Sequence, residues 1–159
     1  MDLTGLVVAG ICFGLWPVVM AKSGFEGADQ MVGYAIPTAV VAVIAWLFGI
    51  TSGPILNTLI CVFVGAGIVA GHGWISMPPV LIASIAGVVN GLGVVSLLEV
   101  LGPLSKSKEK VAIAIFVVVL TQLTINSVAG MTMHGTELSI KKAIGFVMAI
   151  GAAYMIVTK

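Results

Sequence analysis

Six apolar stretches run along this chain, at residues 3–21, 31–50, 55–71, 78–101, 110–132 and 140–157, each parted from the next by a short polar break. A helix needs about 20 largely apolar residues to cross the ~30 Å hydrocarbon layer of a bilayer, and every stretch meets or approaches that length. The breaks carry residues that end helices. Lys22 to Gln30 holds Lys22, Glu26 and Asp29 among glycines and reads as an aqueous loop. Thr51-Ser52-Gly53-Pro54 reads as a turn, with Pro54 placed to start the next helix. Gly71-His72-Gly73-Trp74 leads through an interfacial tryptophan to the paired Pro78 and Pro79. Gly102-Pro103 precedes the most polar run, Ser105-Lys106-Ser107-Lys108-Glu109-Lys110, and the last break runs from His134 to Lys142. None of these connections has room for a soluble domain. The pattern therefore predicts one transmembrane domain over 1–159, an all-α polytopic helical bundle of five to six transmembrane helices. The uncertain span is 55–71, which is short, carries Gly65, Gly67 and Gly71, and is expected to be a broken or tilted helix.

Composition turns that pattern into a class. Hydrophobic residues make up 60% of the chain and charged ones 8%, with a mean hydropathy of +1.23. Soluble domains carry roughly 25% charged residues, so this chain cannot cover a water-facing surface and is expected in a membrane. A net charge of +1 without any arginine excludes the basic stripe that a nucleic-acid partner requires. The first span lacks a basic n-region and is long enough to remain as a helix rather than act as a signal peptide. Cys12 and Cys61 lie in apolar runs with no metal-ligand spacing to His72 or His134, so neither a metal site nor a cofactor is expected. No spacing assembles a nucleophile, base and orienting acid, and no glycine loop with a following lysine could cradle phosphate. The chain does not read as an enzyme.

Orientation is weakly encoded. With six spans, Lys106, Lys108, Lys110 and Lys159 share one side against Lys22, Lys141 and Lys142; with five, Lys22 changes sides and the balance becomes five against two. The even balance of the six-span arrangement is compatible with insertion both ways round. Small residues recur at helix-packing spacing in Gly10/Gly14, Gly67/Gly71, Gly87/Gly91 and Gly145/Ala149. In lipid, close backbone approach supplies the helix association that the hydrophobic effect does not. Such pairs serve either packing within the bundle or a seam between two copies, for which Gly87/Gly91 and Gly145/Ala149 are the candidates.

Polar side chains inside spans need partners in lipid. Gln122 and Asn126 are four apart and share a helical face, flanked by Thr121 and Thr124. That face either hydrogen-bonds to neighbouring helices or lines a wet path for a solute. Asn90, amid the glycines of "GVVNGLG", has the same two readings. Pro17 cannot donate to the preceding turn, so Trp16-Pro17 marks either a packed kink or a binding element with free carbonyls. Tyr34 suits an interface anchor. Glu99 lies within about a turn of a helix end, either as an interfacial carboxylate or as the proton-coupling candidate of the spans. His134 and Glu137 are expected in a solvated loop.

Two stretches resemble a known family. Phe13-Gly14-Leu15-Trp16-Pro17 leading to Lys22 resembles the opening helix of the drug/metabolite transporter superfamily, which includes EamA-like domains and a related sugar-uptake branch. "HGTELSIKKAIGFVMAIGAAYMIVTK", with Glu137, Lys141, Lys142 and Gly145, is similar to that family's closing pattern. The family repeat has five helices, and full transporters usually join two inverted repeats. This chain holds one repeat, with an extra apolar stretch around 55–77. The resemblance thus implies a transporter of a small polar or amphipathic solute, assembled as a homodimer, surrounded by membrane lipids in the plasma (inner) membrane of a prokaryote. Trp16, Asn90, Gln122 and Asn126 are the substrate-binding candidates, with Glu99 for proton coupling. The alternative is a non-transporting membrane scaffold or assembly subunit.

Overall fold

A computed structural model describes residues 3–50, 53–137 and 139–157. It contains six helices and, among the described residues, no strand: α1 (Leu3–Ala21), α2 (Gly27–Phe48), α3 (Pro54–His72), α4 (Pro79–Leu104), α5 (Lys108–His134) and α6 (Ile140–Val157). Five of them, α1 to α5, are long and apolar enough to cross a bilayer. The chain is an all-α integral membrane bundle.

The helix ends follow from local chemistry. Pro54 and Pro79 open α3 and α4, where a missing N–H costs nothing. The Ser107 side chain accepts from the Lys110 N–H to cap α5. Gly49, Gly73 and Gly135 close α2, α3 and α5 at φ of +62°, +69° and +64°, a left-handed turn that a residue with a Cβ resists. Two expectations need correction. The span over 55–71 is one continuous helix, because its glycines lie on packed or open faces and none breaks the backbone ladder. The loop after Lys22 is shorter than its charges suggest: α2 starts at Gly27, since Asp29 in its first turn is favoured by the positive end of the helix dipole.

Helices α1 and α4 pack along each other at the centre, α5 lies on α1, α2 lies chiefly on α4, α3 covers α1 and α4, and α6 packs chiefly on α5. Glycines make these crossings close. A Cβ on Gly10 or Gly14 would collide with α5, at Thr121 and at the Gln122 carbonyl with Ile125; one on Gly93 would collide with Cys12 and Phe13 of α1. Gly87 and Gly91 face Tyr34, Pro37 and Val41 of α2. That pair therefore belongs to a seam inside the bundle, and its proposed place at a seam between two copies is corrected. Gly145 has no described residue within 4 Å of the site a Cβ would take. The outer faces are apolar as lipid requires, with Trp46 80% and Phe48 72% exposed.

Candidate functional site

The polar stretch of α5 meets the end of α1 in a cavity of about 450 Å³. Its floor is Pro17, Val18 and Ala21 of α1; its wall is Asn126, Ser127, Gly130, Met131 and His134 of α5; Thr136 and Glu137 form the rim. The local fold explains this meeting. At the end of α1 the Lys22 N–H donates to Val19 O rather than Val18 O, and Ser23 ties itself to Met20 O through both its N–H and its hydroxyl. The Val18 carbonyl is thereby open to another partner, and His134 Nε2 reaches it at 3.0 Å. His134 is the last residue of α5 rather than part of a loop, because the helix continues to the glycine that can turn it. The Gly135 and Thr136 N–H groups both fold back on Gly130 O, which brings Thr136 and Glu137 over the cavity.

Asn126, Gly130 and His134 follow each other at intervals of four and so form one edge of α5. Eight residues of helix place Asn126 about 12 Å below His134, most of the way through a ~15 Å leaflet of hydrocarbon. Gln122 is one further turn along the same flank, near mid-span. Both amides are half-buried, and neither makes a hydrogen bond to any described residue. Their polar atoms are nonetheless not sealed away, since no fully buried side-chain N or O lacks a partner among the described residues.

The other site candidates lie elsewhere. Asn90 Nδ2 donates to Thr38 Oγ1 at 3.2 Å, and the Thr38 hydroxyl donates to Gly87 O at 2.9 Å, so Asn90 joins α4 to α2. Trp16 packs on the core and meets Tyr34 with ring centroids 4.8 Å apart and the rings tilted by 33°, while α1 continues through Pro17. Glu99 is exposed near the end of α4 and lines two cavities at the opposite end of the bundle, one of them with Thr4, Asn57 and Ser96. Taking α1 as a ruler, Thr4 and Pro17 are about 20 Å apart. Of the five candidates, only Asn126 lines the α1–α5 cavity, with Gln122 on its inward extension.

The polar stretch of the sequence included Ser127, but Thr136 had no place in that reading and His134 and Glu137 were expected in a solvated loop. The interval of four from Asn126 to His134 was the available signal, since it continues the Gln122–Asn126 face to the helix end. Among the described residues no group of His, Cys, Asp or Glu is gathered as metal ligands; Cys12 is buried and Cys61 exposed. The lining of the α1–α5 cavity is rich in acceptors, combining a carboxylate, an amide, two hydroxyls and the carbonyl end of α1. No family model, no curated protein and no solved structure matches this chain.

Proposed function

We propose that this chain is a membrane transporter of a small polar or amphipathic solute, of the drug/metabolite type, working as a homodimer of single repeats in the plasma membrane of a prokaryote. One observation carries the reading: a polar edge descends from Glu137 through His134 and Asn126 toward Gln122, beside a cavity, with both amides unpartnered by described residues. Amides serving only to join helices would be bonded to them, as Asn90 is. Unbonded amides along an edge that descends from a polar cavity suit a solute path, which repeat-built transporters place near the bilayer midplane. Facilitated diffusion fits this arrangement without a titrating group, because Glu99 stands at the other end of the bundle.

The test is flux into proteoliposomes, screened with amino acids, sugars and cationic drugs. Gln122→Ala and Asn126→Leu should each depress the flux of whichever solute is carried; unchanged flux in both removes the lining role. On a background lacking Cys12 and Cys61, a cysteine at 126 should react with a water-soluble reagent and one at 90 should be protected. Protection at both favours the scaffold reading, for which the Asn90–Thr38 bond is the supporting observation.

The dimer reading draws on the even lysine balance of the six-span arrangement and on the Gly145 face of α6, which no described residue covers. A cysteine at 145 should cross-link two copies in native membranes. Tags on the termini should be found on both sides of sealed vesicles if the two copies are antiparallel.

A further inference from the structure

A second cavity matches the first in volume but is apolar where the first is polar. Between α2 and α3, which share no packed seam, an apolar groove of about 450 Å³ runs over a floor of Val88, Leu92 and Val95 on α4. Its walls are Ile36 to Ala45 on α2 and Leu56 to Phe63 on α3, and almost no polar atom enters it. It extends from about the middle of all three helices toward one end only, that of the α2–α3 connection. The nine helical steps from Ile36 to Ala45 give its α2 wall about 14 Å of length, close to the ~15 Å of hydrocarbon in one leaflet.

What lies at that end is polar. The groove shares Leu56 with a small cavity lined by Thr4, Asn57, Ser96 and Glu99, and it shares Ala45 and Val95 with another that also reaches Glu99. Glu99 makes no ion pair or hydrogen bond with a described residue. Lys106, Lys108 and Lys110 leave the bundle at the same end and, like Glu99, are exposed.

We propose that this groove seats one acyl chain of a phospholipid with a primary-ammonium headgroup, the ammonium donating to Glu99 while the lysines beyond α4 attract its phosphate. The length selects the occupant. A helix of a second copy, 10–12 Å across, would span the bilayer and meet the groove over only half its length, whereas an acyl chain ends at the midplane as the groove does. The charges select the headgroup. A carboxyl side chain without a partner at the edge of hydrocarbon suits a headgroup that brings N–H donors, and a headgroup with no donor of that kind would leave Glu99 unsatisfied. A quaternary ammonium has no N–H to give it.

Native mass spectrometry of the purified protein tests this after equilibration with an equal mixture of ethanolamine, choline and glycerol phospholipids of matched chains. The ethanolamine lipid should survive stepwise delipidation, with a preference of about tenfold, as a charged hydrogen bond commonly provides. Glu99→Gln, at an exposed position, should abolish that preference while lipid is still retained. Val40→Trp, on the half-exposed groove wall, should remove retained lipid of every headgroup; circular dichroism checks that it folds, and Leu59→Trp serves if it does not. Retention without headgroup preference, or an unaltered preference in Glu99→Gln, overturns the proposal. So does a groove-filling variant that keeps its lipid, or one that loses dimers instead, since the groove would then seat a second copy.

Discussion

Replacing Gly14 with alanine tests the α1–α5 seam on which the polar cavity depends. An alanine Cβ there would lie 2.6 Å from the Gln122 carbonyl oxygen and 2.7 Å from Ile125 Cβ, about 0.8 Å short of ordinary contact at 3.4 Å. The obstacle is partly backbone, so no side-chain rotation relieves it and α1 must move away from α5. Overpacking of this kind costs about 1–3 kcal/mol. Against it stands the gain from removing a helical glycine, about 0.5–1 kcal/mol. Gly65→Ala isolates the two effects, because Gly65 is also mid-helix but has nothing within 4 Å of the new methyl. Gly65→Ala should be neutral or slightly stabilising, and Gly14→Ala should be less stable than Gly65→Ala by about 1–3 kcal/mol. Reversible unfolding in mixed micelles, followed by circular dichroism, measures the difference. Because the displaced carbonyl belongs to Gln122, the same variant should also perturb labelling of a cysteine at 126. Equal stabilities for the two variants would refute the close approach of α1 and α5.

Thr38→Val keeps the side-chain shape and removes both bonds that join Asn90 and Gly87 to α2, so it should cost about 0.6 kcal/mol per bond lost; a melt in detergent reads this, and solute flux should stay at the wild-type level. His134→Leu removes the partner of the Val18 carbonyl, and hydrogen exchange should rise in the last turn of α1 and in the connection that follows while the α2–α4 seam keeps its protection. Exchange unchanged at the end of α1 would mean that the histidine does not hold it.

Much of this molecule was legible in one dimension because its determinants act over a few residues. The six apolar runs, the prolines that open α3 and α4 and the glycines that close α2, α3 and α5 are local features, and they placed every helix to within a few residues. The exceptions were polar ends: hydropathy assigned Gly27 to Gln30 and His134 to loops, whereas the helix dipole welcomes Asp29 in a first turn and the turn at Gly135 lets α5 run on. Hydropathy likewise showed that Gln122, Asn126 and Asn90 each need a partner in lipid, but not which would find one. That depends on residues distant in the chain. Asn90 meets Thr38 from 52 positions away, and His134 meets Val18 from 116. The same holds for the small-residue pairs, since spacing makes a face flat but cannot say what lies against it. Only the tertiary packing put α2 on Gly87 and Gly91, left Gly145 uncovered by described residues and parted α2 from α3 to form the apolar groove, because in lipid every apolar helix surface is compatible with its surroundings and only the fit between such surfaces chooses neighbours.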